Sequence, residues 1–200
     1  METITTEQKI IRAADKLFTQ KGYAATRTRE IAEEAGANLA LLNYYFGSKE
    51  KLFKKVVQEK LKMLLGDMGP ILSNESITLN DKIRSIIESY TRLLLENEEL
   101  PIFILNELTV NKELFANITQ HTRQNAQPVI EKQLNEKGAG ISATDVIINT
   151  LSMTMFPFVA KPLLTSSGLV REDDFIEFVI GRKEKIQHWM AIIIQQSETQ

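Results

Sequence analysis

The chain has 200 residues, of which 43% are hydrophobic and 25% charged; this composition predicts a folded globular protein and excludes a disordered or fibrous one. It contains no cysteine, which excludes disulfides, thiolate metal sites and cysteine nucleophiles. Residues 1–65 hold 12 Lys and Arg against 8 Asp and Glu, whereas residues 66–200 hold 12 against 18. The basic first third favours a polyanionic partner, although chance distribution of solvated charges explains the imbalance equally well.

The amino-terminal segment METITTEQKIIRAADKLF carries charges among its apolar residues, so no secretory signal is expected. The longest stretch that resembles a membrane span, 146–160, has 15 residues, fewer than a span needs. We therefore expect a cytoplasmic protein that does not enter a membrane.

The chain begins with two predicted helices that end at glycines. Thr5 opens a capping box, and the helix that follows is expected to end at Gly22. A second helix is expected over 29–35, with Thr28 as its cap and Gly36 as its end.

Two further helices follow a short turn. Asn38 predicts the cap of a helix over 39–46, and Gly47 predicts its end. Ser48 then predicts the cap of a longer helix that runs to about Leu65.

Turn-forming residues concentrated over 66–80 predict a domain boundary. The expected domains are 1–47, a connecting helix over 48–65, and a larger helical domain over 66–200. Within the larger domain, the predicted helices are 81–98, 101–110, 112–137, 144–160 and 173–195. Pro128 and Pro157 fall inside two of them and predict kinks or breaks.

Two short helices joined by a glycine-containing turn are the parts of a helix-turn-helix, in which the second helix enters the major groove of DNA. If Leu42, Tyr45 and Phe46 of the helix over 39–46 face the core, Leu39 and Leu41 point outward. These two side chains can then contact thymine methyl groups. Tyr44 can then donate its hydroxyl to a phosphate oxygen. Arg29, near the start of the preceding helix, has the planar fork that matches a guanine edge.

The string TRTREIAEEAGANLALLNYYFGSKEKLFKKVV, preceded by LFTQKGYAAT, resembles the amino-terminal domain of TetR-family transcriptional repressors. The resemblance covers about 60 residues, and helix lengths, glycines and aromatic residues agree in order. It implies an all-α homodimer in which an N-terminal helix-turn-helix three-helix domain is joined to a larger helical ligand-binding and dimerisation domain. The implied partners are a pseudo-palindromic double-stranded DNA operator and a small-molecule effector that releases it. The residues implied to contact DNA or to flank the recognition helix are Thr28, Arg29, Leu39, Ala40, Leu41, Asn43, Tyr44, Tyr45 and Lys49.

The recognition helix departs from the common family pattern in two places. Residues 39–41 stand where many members have small or polar residues, and Asn43 stands where many have an aromatic one. The operator sequence is therefore not transferable from the family. For Asn43, contact with adenine, contact with phosphate and a local cap all stay open. Tyr45 is expected to pack inward, with its hydroxyl within reach of the DNA backbone. Lys49 lies in the first turn of the next helix, where the helix dipole disfavours a cation. A phosphate beside it would compensate for this unfavourable position.

The last two long helices are richer in apolar residues than one buried face requires. The last helix has one stripe at helical spacing and further isoleucines off it: Phe175, Phe178, Val179, Ile186, Trp189, Met190 and Ile193 on the stripe, and Ile176, Ile180, Ile192 and Ile194 off it. A second buried face is predicted, and the resemblance implies dimerisation through these two helices. Gly181 either lets another backbone come close or is an isolated structural glycine.

An effector pocket among the middle helices of the larger domain is implied by the resemblance alone. The candidate lining residues are Phe103, Asn106, Phe115, Met153 and Phe156. Aromatic and Met side chains at helical spacing are more typical of an ordinary core, and this alternative stays open.

Enzyme, cofactor and metal functions are not expected. The two histidines, His121 and His188, are far apart in sequence, and no metal-binding pair or phosphate-binding loop is present. The carboxylates at 96–99 and 172–174 are better explained as solvated helix ends than as a cation site. The alternative to a DNA-binding regulator is a helical ligand-binding or protein-interaction module, because the outer face of the third helix is less polar than that of most DNA readers.

Overall fold

The computed structural model describes residues 4–66, 68–110 and 112–196, apart from the side chains of residues 109, 110, 114, 117, 118, 121 and 196. The prediction for His121 thus lies outside the described residues. All regular structure in the described part of the chain is helical, which confirms the all-α fold. The α-helices are α1 (Thr6–Ala25), α2 (Thr28–Glu34), α3 (Leu39–Phe46), α4 (Lys49–Leu65), α5 (Met68–Ser73), α6 (Leu79–Glu96), α7 (Leu100–Val110), α8 (Lys112–Asn135), α9 (Ala143–Val159), α10 (Lys161–Ser166) and α11 (Phe175–Gln196), with a 3-10 turn at Glu172–Asp174.

The chain divides into two compact units, Met1–Lys62 and Met63–Gln200. The functions expected of them, DNA binding for the first and ligand binding with dimerisation for the second, stay predictions.

At the start of the smaller unit, Thr5 caps α1 and Gly22 interrupts it, as predicted. Thr5 Oγ1 accepts from the Gln8 N–H at 3.2 Å, and Gln8 Oε1 accepts from the Thr5 N–H at 3.0 Å. Gly22, with φ of 77°, interrupts α1, and the buried Thr26 hydroxyl donates to the Gly22 carbonyl at 2.8 Å. The core of this unit is apolar and consists of Ile10, Ala13, Ala14, Leu17, Phe18, Ile31, Ala32, Leu42, Phe46, Leu52, Val56, Val57 and Leu61.

The larger unit contains two short helices, α5 and α10, that the sequence does not predict. Helix α5 lies within the segment of turn formers, and its Met68 and Leu72 are buried. The Tyr90 hydroxyl lies 3.6 Å from Met68 Sδ, and Gly69 lets the Thr122 side chain of α8 approach closely. A six-residue helix is marginal by itself, so tertiary packing rather than local propensity holds α5 in place.

A fully buried lysine joins α6 to the loop before it. The Lys82 ammonium donates to the carbonyls of Asn74 and Ile77 and to Gln133 Oε1 of α8. Burial lowers the pKa of Lys82, an effect that the nearby Glu75 opposes. Three acceptors around one ammonium compensate for removing it from water.

Both internal prolines lie in continuous helices, so the predicted breaks at Pro128 and Pro157 are absent. A helical proline lacks the N–H that would bond the carbonyl four residues earlier. For Pro157 that carbonyl belongs to Met153, and Arg182 Nη2 of α11 donates to it at 3.3 Å. The Arg182 guanidinium also lies over the rings of Phe178 and Trp189, at 5.6 and 5.4 Å from their centroids. The arginine therefore replaces, from another helix, the bond that the proline removes.

The Arg182→Ala protein is expected to lose about 2 kcal/mol of unfolding free energy, since the Met153 carbonyl loses its donor and two rings lose their cation. Pro157→Ala restores an N–H to the helix, so in the Arg182→Ala background it should recover part of that loss. Urea denaturation of the wild type, both single variants and the double variant measures this coupling. If the two substitutions changed the unfolding free energy in a strictly additive way, Arg182 would not be supplying the hydrogen bond that Pro157 removes.

Candidate DNA-binding surface

Helix α2 is capped from its third residue rather than from Thr28. Glu30 accepts from the Arg27 N–H at 3.0 Å, while Lys21 Nζ lies 3.1 Å from its other carboxylate oxygen. The backbone hydrogen bond and the Lys21 contact lower the pKa of Glu30. The prediction of Thr28 as the cap is wrong, because Thr28 is already the first helical residue. Glu30 thereby fixes the end of α2 from which Arg29 extends, exposed, into solvent.

The turn between α2 and α3 forms as predicted. Gly36 has φ of 63°, a left-handed conformation that glycine adopts without strain, and the Ala37 N–H donates to the Ala32 carbonyl at 2.9 Å. Asn38 Oδ1 accepts from the Leu41 N–H at 2.8 Å and so caps α3. The left-handed turn at Gly36 and the Asn38 cap together set the direction of α3 relative to α2.

Helix α3 buries a narrow face and exposes the rest. Leu42 and Phe46 point into the core of the smaller unit. Tyr44 is 81% exposed and Tyr45 is 42% exposed, with their ring centroids 5.3 Å apart. The prediction that Tyr45 packs inward is wrong, since this eight-residue helix needs only one residue per turn to anchor it. Of the other sequence-predicted positions on α3, Leu39 is half-buried, and Ala40, Leu41 and Asn43 are exposed.

Lys49 is held at the start of α4 by an aromatic residue that the sequence analysis did not single out. Its ammonium lies 4.3 Å from the ring centroid of Tyr23. Tyr23 in turn packs against Phe53, with ring centroids 4.7 Å apart. Ser48 Oγ accepts from the Lys51 N–H at 3.2 Å, which confirms Ser48 as the cap. The Lys49 ammonium, which the sequence predicts to bind phosphate, is thus positioned by the aromatic ring of Tyr23 and not by a carboxylate.

Several cations of the smaller unit form ion pairs, but Arg29 and Lys49 form none with the described residues. Lys16, Lys21 and Lys60 pair with acidic residues. Among the described residues, neither Arg29 nor Lys49 has an acidic partner within 4.0 Å. Free cations beside an exposed helix are what contacts to DNA phosphates require.

In the larger unit, the five residues assigned by sequence to an effector pocket do not share one environment. Phe115 is buried, Phe103 and Met153 are half-buried, and Asn106 and Phe156 are exposed. A cavity of about 240 Å³ lies instead between α5, α8 and α9, and none of the five residues lines it. The role proposed for these residues in ligand binding stays a prediction.

The long helices α9 and α11 bury one face and leave large apolar side chains outside. In α11 the inward residues are Phe175, Val179, Ile186, Met190 and Ile194. Ile194, expected off the apolar stripe, is buried, whereas Trp189, expected on it, is partly exposed. The exposed apolar residues, which we call the α9/α11 flank, are Ile148, Phe156, Ile176, Ile180 and Trp189.

In the described part of the chain, no group of three His, Cys, Asp or Glu residues is placed to hold a metal ion. Searching the same residues, we find no helix with the length and apolarity of a membrane span.

Comparison with known proteins shows which transcriptional regulators the chain resembles. A family model described as "Bacterial regulatory proteins, tetR family" matches residues 10–56. The chain is 24% identical over 198 residues to the HTH-type transcriptional regulator YttP of Bacillus subtilis, covering 96% of this chain and 95% of that one. It is 42% identical over 53 residues to the HTH-type transcriptional repressor NicS of Pseudomonas putida, covering 26% of this chain and 25% of that one.

Solved structures share the fold over nearly the whole length. The fatty acid degradation regulator FadR from Bacillus halodurans superimposes with a TM-score of 0.67 at 17% identity, covering 95% of this chain and 96% of that one. Residues 10–56 are thus similar to the TetR family of bacterial regulatory proteins, and the relatives that the chain resembles over longer stretches are transcriptional regulators.

Proposed function

We propose that the chain is a cytoplasmic homodimeric repressor whose two α3 helices enter successive major grooves of a pseudo-palindromic operator. The observation that carries this proposal is the outer surface of α3, where Tyr44 is 81% exposed. The neighbouring helices α2 and α4 add Arg29 and Lys49, which have no acidic partner among the described residues. A helix of this kind reads bases with its outer face while cations at its sides hold phosphates. The names of its relatives describe regulators, which supports a role without catalysis.

Dimerisation through α9 and α11 is part of the proposal. The α9/α11 flank exposes five large apolar side chains, and Phe156 is 60% exposed. Gly181, next to Ile180 on α11, faces open space within its own chain, so a second backbone can approach there. Two copies are also what a two-half-site operator requires.

We further propose that a small-molecule effector bound in the larger unit releases the operator. Because half-site spacing is a geometric constraint, an effector that favours a different separation of the two α3 helices weakens operator binding without touching DNA.

Enrichment of random duplexes by the purified protein tests the operator proposal directly. A palindrome with two half-sites, bound by a complex with the mass of two chains, is expected to emerge, and its affinity should fall steeply with salt. Weak binding without sequence enrichment would contradict the proposal and favour a helical interaction module.

Two single substitutions are expected to separate base reading from phosphate binding. Arg29→Ala should cost about 1 to 3 kcal/mol of operator binding and relax specificity at one base pair. Lys49→Ala should weaken specific and random DNA alike and reduce the salt slope by about one. Titration of both variants against operator and scrambled duplexes at several salt concentrations measures this difference. Equal losses on the two duplexes for Arg29→Ala would overturn the role of Arg29 in base reading.

A further inference from the structure

The cavity between α5, α8 and α9 is bounded by apolar side chains from all three helices. Met68 and Leu72 of α5 are buried one turn apart, and Ala126 of α8 is buried as well. Ile147 and Ile148 contribute from α9. The volume of the cavity is about 240 Å³, which is more than the roughly 150 Å³ in which a protein can hold benzene.

Polar residues also line the cavity, but they present carbon atoms to it. The lining is almost wholly apolar, although Arg123, Gln127 and three threonines of α8 and α9 contribute to it. Polar side chains can cover an apolar space with their methyl and methylene groups. One of the threonine hydroxyls is already bonded, since Thr119 donates to the Phe115 carbonyl at 2.8 Å. A molecule in this cavity would therefore meet almost no hydrogen-bonding group of the described residues.

From this lining we propose that the cavity binds an uncharged, apolar small molecule and discriminates against ions of either sign. An ionised group that enters an apolar space without a partner loses its hydration and gains nothing in return. An aliphatic or aromatic body, by contrast, gains free energy from each apolar surface that it removes from water. The inference rests on the proposed function, because it gives the chemical class of the effector that this function requires.

The cavity shares a residue with the proposed dimer interface. Ile148 lines the cavity, and it also belongs to the α9/α11 flank, where it is 55% exposed. A molecule in the cavity would thus contact a side chain that the second copy would cover. Occupation of the cavity can in this way change how two copies pack, and with it the separation of the two α3 helices.

The volume of the cavity limits the size of the ligand and decides the probes. Benzene, with six heavy atoms, occupies a cavity of about 150 Å³, so 240 Å³ corresponds in proportion to about ten heavy atoms. 1-Octanol, with eight carbons and one oxygen, fits this size and is uncharged. Octanoate and octylammonium carry the same length of chain with a negative and a positive head group.

Calorimetric titration of the full chain without DNA, at pH 7.5, compares the three probes. 1-Octanol should bind the wild type at least about tenfold more tightly than either ion. Thr144→Val replaces a hydroxyl of the lining with a methyl group and should leave the affinity for 1-octanol unchanged. The inference is overturned if 1-octanol does not bind, if either ion binds as tightly, or if Thr144→Val abolishes binding.

A variant of the wall locates the bound probe. Ala126→Leu adds carbon atoms inside the cavity and should weaken 1-octanol about tenfold or more. Ala116→Leu makes the same change at an exposed position of α8 that does not line the cavity, and it should leave the affinity unchanged. Thermal melting confirms that both variants are folded. Equal affinities for the two variants would place the probe elsewhere and contradict the inference, and the comparison of probes on the wild type stands even if Ala126→Leu does not fold.

Adding 1-octanol to the operator complex separates this inference from the proposed function. Release of DNA by the wild type but not by Ala126→Leu supports both. Binding of 1-octanol to a complex that keeps its DNA supports the apolar site and contradicts effector release. A chain that enriches a palindrome but does not bind 1-octanol overturns the inference and leaves the proposed DNA binding intact.

Discussion

The Ile180→Glu protein is expected to sediment as a monomer and to lose about three orders of magnitude in affinity for the operator. Ile180 is 45% exposed on α11 and belongs to the α9/α11 flank, where two copies would bury it. A carboxylate taken into an apolar interface without a partner carries a large desolvation penalty. A monomer has only one α3 to place on DNA, so its binding falls towards the non-specific level, typically a thousandfold or more weaker.

An isoleucine elsewhere in the larger unit supplies the control. Ile102 of α7 is 44% exposed, so Ile102→Glu makes the same chemical change outside the flank and should leave both mass and affinity unchanged. Sedimentation of the two variants, followed by titration against the enriched palindrome, measures the difference. A dimeric Ile180→Glu protein with full affinity would place the dimer interface elsewhere.

The Lys82→Ala protein is expected to lose about 4 kcal/mol of unfolding free energy. The substitution removes a donor to two carbonyls and one amide oxygen and leaves a cavity where three methylene groups were packed. Both effects destabilise the loop that precedes α6, which Lys82 helps to hold through the Asn74 and Ile77 carbonyls. Urea denaturation monitored by circular dichroism gives the magnitude.

Two comparison variants divide this loss between packing and hydrogen bonding. Lys82→Met keeps most of the buried chain and loses only the donor, so it should fall between the wild type and Lys82→Ala. Lys132→Ala removes an exposed lysine that lies 3.2 Å from Glu75, and its stability should change little. If Lys82→Ala is as stable as Lys132→Ala, the ammonium does not anchor the loop.

The helices of the smaller unit were predictable because their ends are encoded locally. Thr5, Asn38 and Ser48 each cap a helix through their own side chains, and Gly36 supplies the left-handed residue of the turn. The cap of α2 was missed since it comes from the third residue of the helix reaching backward. Local signals of this kind depend on neighbours only a few positions away.

Features that depend on packing between helices were not predictable in the same way. Helix α5 forms against α8 despite a glycine and a proline, and the cavity beside it exists only once α5, α8 and α9 have come together. Burial of Lys82 likewise requires acceptors from a loop and from α8. The exposure of Tyr45 follows from how little of α3 its neighbours cover, which helical spacing alone does not determine.

The opposite charges of the two parts of the chain affect the encounter with DNA before any residue touches it. The first 65 residues are net basic and the remainder is net acidic. In the negative potential of a duplex, the basic part of such a molecule is attracted and its acidic part is repelled, which produces a torque. A larger share of collisions with DNA then has the productive orientation, so the association rate is higher than the overall charge of −2 suggests. Because counterions screen this torque over about 8 Å at physiological ionic strength, the advantage is greatest in dilute salt.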